Sequence, residues 1–189
     1  QWSSSAASDV YKRQSLRYFQ RRSSITRTHG GLGLAYEIAK FLHITGVVML
    51  MGNITVKAIW KYFADRTGNA EVLGFAQKLV TYTDWSMTVW GVLLLVGGGY
   101  AMVLLVNWPL TLHWLFWSQI LFVVAGLIWL LILVPIQIKQ ARLARAFAGL
   151  DVGDEYRQLS RQWLIWGLIS TVPLVMATWF MIAKPASGL

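Results

Sequence analysis

Four long apolar segments, residues 35–60, 85–106, 112–137 and 163–183, constrain this chain more than any other feature. An α-helix rises about 1.5 Å per residue, so about 20 apolar residues cross the hydrocarbon of a bilayer. Each segment meets that length. Backbone groups inside a bilayer have no water to bond to, which leaves helices as the simplest solution for segments of this kind. The composition points the same way. Of 189 residues 56 % are apolar and only 13 % charged, more apolar surface than a soluble core of this size could hide. The expected fold class is all-α, a polytopic membrane protein forming a four-transmembrane-helix bundle in one domain over residues 35–185. This excludes a secreted disulfide scaffold, a disordered chain and a typical soluble enzyme. There is no Cys, which removes thiolate nucleophiles, iron–sulfur clusters and Cys-ligated zinc or haem.

The connections set the topology. Spans two and three are joined by NWPLT alone, which predicts a tight antiparallel hairpin with Pro109 ending one helix and starting the next. The first connection, residues 61–84, has room for an interfacial helix. Its Val72, Leu73, Phe75, Ala76, Leu79 and Val80 fall on about one side. The third, residues 139–162, continues span three, breaks at DVGDE and restarts at Tyr156. Pro135 and Pro173 are expected to kink spans three and four. Trp60 and Trp85 would mark one headgroup level and Trp108, Trp114 and Trp117 the other, with Trp163 and Trp166 back at the first.

The net charge of +9 does not indicate nucleic acid, because its location matches membrane loops. The first and third connections hold eight Lys/Arg, whereas the opposite side holds Lys40 and Lys184 beyond the first 34 residues. Both termini are therefore expected outside, in a bacterial cytoplasmic (inner) membrane. Residues 1–34 stand apart. Residues 3–14, SSSAASDVYKRQ, read like translated adapter sequence, and the stretch that follows is basic and without apolar periodicity. This segment is expected to be a non-native or disordered basic tail, and its His29 carries no functional argument.

Ionisable groups within hydrocarbon are functional candidates by default. On span one, His43, Gly46, Leu50, Asn53 and Lys57 recur at spacings of three and four, hence on one helix face. Asn53 suits a hydrogen bond across helices, and Lys57 suits a pair with Asp84 at the start of span two. His43 lies about 12 Å into its span. His113 opens span three on the same side. Neutral imidazoles ligate haem iron, so the two form a candidate haem-ligand pair; structural hydrogen bonding of each is the blander reading. Arg157 and Arg161, four apart at the entry to span four, suit lipid headgroups. Catalytic signatures of hydrolysis and phosphate loops are absent.

Four motifs occur in order: YEIAKFLHITGVVMLMGNITVKAIWKYFADR, TDWSMTVWGVLLLVGGG, EYRQLSRQWLIWG and MIAKP. Over about residues 35–185 the chain resembles the bacterial integral membrane protein family of unknown function 2269. That resemblance implies a small four-helix inner-membrane protein without assigned activity. More distantly it resembles the copper resistance protein D-like group and the haem-containing four-helix protoporphyrinogen oxidase, through Leu42, His43, Gly46, Val47 and the terminal Lys184–Pro185. The oxidase resemblance implies that His43 ligates haem. It also implies a functional Lys two residues after the third-helix His, where this chain has Leu115, a departure that speaks against the oxidase activity.

Three readings follow. The first is a small, non-enzymatic inner-membrane protein whose partner is the lipid bilayer, with homo-oligomerisation open. The second is a haem-b-binding redox protein using His43, with or without His113. The third is a small permease or metal-handling protein with a path along His43, Asn53 and Lys57.

Overall fold

The computed structural model describes residues 3–146 and 153–185, with side-chain surroundings given for residues 31–145 and 153–185. Its elements are all helical: α1 (Ser3–Thr67), α2 (Ala70–Thr83), α3 (Trp90–Val106), α4 (His113–Ile128), α5 (Val134–Ala146) and α6 (Asp154–Ala183). Two π-helical turns, Asp84–Val89 and Trp129–Leu133, carry α2 into α3 and α4 into α5 without a break. Four continuous helices long and apolar enough to cross a membrane result: Gly31–Thr67, Ala70–Val106, His113–Arg145 and Asp154–Ala183. The backbone of residues 3–30 continues α1; the side chains of that segment lie outside the described residues.

Local chemistry ends each helix where it ends. Gly68, at a φ of 61°, makes the turn after α1, and the Asn69 side chain caps α2 by accepting from Glu71 N and Val72 N. Asn107, left-handed at a φ of 55°, closes α3, and Trp108 N donates back to Val103 O. Pro109 then turns the chain into α4. Lys184, at a φ of 42°, stops α6 before Pro185. Pro135 lies two residues past the second π-helical turn, so the carbonyl its ring would strike, that of Leu131, lies in the widened turn.

The helices associate as two pairs. α1 lies along α3 and α4 along α6; the pairs meet through α1 with α6 and, beyond the apolar zone, through α2 with both α1 and α5. The α1–α3 contact is backbone on backbone. A Cβ on Gly46 would stand 2.3 Å from Leu95 N, and one on Gly98 would stand 2.6 Å from Ala39 O. Only glycine permits that approach. Large apolar side chains point outward instead, among them Leu104 (74 % exposed), Ile182 and Leu131, as a lipid-facing surface requires.

Two features differ from the sequence expectations. The 37 residues of Ala70–Val106 rise about 55 Å, against about 30 Å of hydrocarbon, so α2 extends beyond the membrane zone and packs on α1 and α5. It does not lie apart as an interfacial helix. Trp163 is 4 % exposed and packs with Leu133 and Ile136, so it is a core residue and not a headgroup anchor. Trp85 is 71 % exposed, which suits one.

Candidate functional site

The close α1–α3 contact positions His43. With Gly98 behind its backbone and Gly99 beneath its ring, the imidazole reaches across to α3, and Nδ1 lies 2.6 Å from Leu95 O. A carbonyl oxygen only accepts, so Nδ1 carries a proton, and in the neutral tautomer that this bond selects the lone pair is on Nε2. Histidines that ligate metals are oriented by this kind of backbone hydrogen bond.

His43 lines a cavity of about 320 Å³ between the two helix pairs, on the side of the α3–α4 hairpin. Its walls include Val47, Leu50, Leu95, Leu115, Phe122 and Leu174. Tyr100 Oη donates to Gln119 Oε1 at 2.8 Å, joining α3 to α4 across the cavity's flank. Lys184 Nζ sits 5.4 and 5.2 Å from the ring centroids of Trp108 and Trp114, both wall residues, which places a cation at the cavity's rim.

His113 belongs elsewhere. Its ring lies against Trp117 and Phe180, its Nδ1 is buried with no hydrogen-bond partner among the described residues, and it is not part of the cavity wall. His43 and His113 therefore do not share that cavity. Among the described residues no three His, Asp or Glu side chains gather into a metal-ligating group, so one imidazole is the nitrogen donor the cavity offers.

Deeper along the same face of α1 lies a buried charge pair. Lys57 Nζ is 2.5 Å from Asp84 Oδ1, with the two side chains 6 % and 12 % exposed. Asp84 Oδ1 also accepts from Asn53 Nδ2 at 3.3 Å and Thr88 Oγ1 at 2.9 Å, and Oδ2 accepts from Gln137 Nε2 at 3.0 Å. Asp84 opens the first π-helical turn, and Thr88 follows it by four residues within that turn. Four donors from three helical segments, α1, the first π-helical turn and α5, thus converge on one carboxylate.

One further cluster escaped the sequence reading. Lys61 Nζ reaches Asp65 Oδ1 and Tyr156 Oη, each at 3.2 Å, and sits 5.1 Å from the Tyr156 ring centroid; Ser160 Oγ donates to Asp65. The signal was available, since 61 and 65 continue the spacing of 53 and 57 by fours. Arg157 and Arg161 are exposed at this end, and Arg157 is 4.0 Å from Asp154.

These features define a class: an integral membrane protein built as a four-helix bundle, with an apolar cavity beside a buried ion pair. The family model for predicted integral membrane proteins DUF2269 matches residues 37–185, and the chain belongs to that family. No curated protein and no solved structure matches it.

Proposed function

We propose that the protein is a non-enzymatic membrane protein that holds a small apolar ligand in the cavity between its helix pairs, with His43 as the polar contact. The observation that carries this reading is the Nδ1–Leu95 O bond, which fixes the ring and leaves Nε2 as the acceptor. The cavity lies at the small end of the roughly 300–1,000 Å³ typical of ligand sites, and like them it is mostly apolar with few polar groups.

Haem b is the occupant these residues favour. His43 would ligate the iron, Trp114 and Phe122 would supply apolar wall, and Lys184 at the rim suits an acidic group. Bound haem would supply one-electron chemistry. Leu115, 5 % exposed on the cavity wall, keeps that wall apolar where the oxidase resemblance implies a lysine, which supports binding without that catalysis.

The test is an absorption spectrum of the full chain, expressed with ample haem, purified in mild detergent, then reduced with dithionite. The expected result is a Soret band with reducible α/β bands that is lost in His43→Ala and retained in His113→Ala. A colourless, monodisperse protein would remove haem as the ligand.

We infer further that the protein sits in a bacterial inner membrane with its basic end, carrying Arg157 and Arg161, toward cytoplasmic anionic headgroups. The chain has no Cys, so single cysteines report sidedness cleanly. In intact cells Leu110→Cys should react with an impermeant maleimide and Lys78→Cys should not. The reverse pattern would invert the topology.

A further inference from the structure

Where α1 ends and α6 begins, the two helices and the start of α2 enclose a pocket of about 260 Å³. Four cations stand in its wall, Lys61, Arg66, Arg157 and Arg161, against one carboxylate, Asp65. That carboxylate is already engaged. Lys61 Nζ donates to Asp65 Oδ1 at 3.2 Å and to Oδ2 at 3.3 Å, and Ser160 Oγ donates to it from α6. Lys61 and Asp65 therefore cancel, and the positive excess belongs to the three arginines.

The chain supplies none of these arginines with a close anion among the described residues. Arg66 donates to Tyr62 Oη at 2.9 Å, a neutral acceptor. Arg157 Nη1 is 4.0 Å from Asp154 Oδ1, beyond hydrogen-bond reach, and both side chains are exposed. Arg161 has no ion-pair partner among the described residues. The same wall holds a spare donor. Trp163 is 4 % exposed, and its indole Nε1 is buried with no hydrogen-bond partner among the described residues. Buried polar groups in folded proteins nearly all have a partner. Here an acceptor is missing in the wall where the arginines lack an anion.

The height of the pocket narrows the choice of anion. The apolar run of α6 begins at Trp163. At about 1.5 Å per residue, Arg161 stands about 3 Å and Arg157 about 9 Å outside that point. The headgroup layer reaches about 5–7 Å beyond the hydrocarbon on each face, so the two arginines bracket the depth of lipid phosphates. Guanidinium forks also match phosphate oxygens in pairs.

We propose that this pocket is a phosphate-binding site, in which Arg66, Arg157 and Arg161 share the oxygens of one phosphate group and the Trp163 indole N–H is the buried donor. It deepens the headgroup reading of Arg157 and Arg161 and rests on it. The phosphodiester of an anionic lipid fits best. Leu164 in the wall and the exposed Ile165 and Leu168 beyond it offer its chains an apolar surface. A choline lipid brings its own cation against the arginines and fits worse.

The test weighs the full chain by native mass spectrometry from mild detergent, after incubation with phosphatidylglycerol or with phosphatidylcholine of the same chains. One phosphatidylglycerol per chain should be retained about tenfold more than phosphatidylcholine. Arg66→Gln with Arg161→Gln should lower that retention to the phosphatidylcholine level; both side chains are exposed, so the fold stands. Lys78→Gln with Arg142→Gln removes the same charge from exposed positions outside the pocket and should leave retention unchanged. Millimolar inorganic phosphate then separates the sources. Lipid that stays bound identifies membrane phosphate, and a phosphate adduct that displaces it identifies free phosphate; in both cases the pocket is the site. Equal retention of the two lipids overturns the proposal, as does a pair of charge-matched variants that behave alike. Detergent has no sides, so the cysteine labelling of orientation can fail while this site stands, and the reverse.

Discussion

Gly46→Val should prevent α1 and α3 from docking and leave little folded protein. A single Cβ at position 46 would lie 2.3 Å from Leu95 N, 2.6 Å from Gly91 O and 2.8 Å from Leu95 Cα. All three are backbone atoms, so no rotamer change relieves the clash, and the helices must part. Overpacking by side-chain methylenes alone costs about 1–3 kcal/mol, and a valine wedged between two backbones should exceed that range. Parting the helices also breaks the His43–Leu95 hydrogen bond, so any variant that survives should lose cavity ligand as well. Gly52→Ala is the control. Nothing lies within 4 Å of its new Cβ, and the helix gains up to about 1 kcal/mol from alanine. Fluorescence-detected size exclusion after a heat ramp should show Gly52→Ala at or above the wild-type midpoint and Gly46→Val aggregated. A monodisperse Gly46→Val with an unchanged midpoint would mean that the α1–α3 approach is wrong.

How far the sequence discloses this molecule differs from one residue to the next, for physical reasons. The spans are legible because hydrocarbon thickness fixes a length, and the face at 43, 46, 50, 53 and 57 is legible because helical period fixes an azimuth. Lys57 and Asp84 stand out because two opposite charges in apolar surroundings need one another. Thr88 and Gln137, which complete the site, do not, because a neutral polar residue in a helix carries no signature of its partner. Depth is readable for His113, but its azimuth around the bundle is not. It opens α4 at the hairpin side, yet its ring turns to Phe180 of α6 and away from the cavity that His43 lines. Helix α2 shows a different ambiguity. A one-sided apolar pattern is the same whether that side meets a bilayer surface or other helices, and here Leu73, Ala76 and Val80 are buried against neighbouring helices. The π-helical turn at Asp84 leaves no mark in residue spacing at all.

Lys57→Met should be the most destabilising change at the charge pair, and Asp84→Asn in the same chain should restore most of what it loses. Removing the lysine leaves Asp84, 8 % exposed, with only the neutral donors of Asn53, Thr88 and Gln137. Breaking a buried pair from one side costs about 3–5 kcal/mol, because the remaining charge has lost its counterion but not its desolvation penalty. In the double variant neither charge remains. The asparagine Oδ1 still accepts from Asn53 and Thr88, and rotation of the Gln137 amide lets its oxygen meet the new amide N–H. The expected net loss is therefore about 1–2 kcal/mol, near that of one altered hydrogen bond. Denaturant unfolding in detergent should give a coupling between the two sites well above the few tenths expected of independent positions. Equal and additive losses would show that the two charges are solvated separately and that the pair is no structural unit.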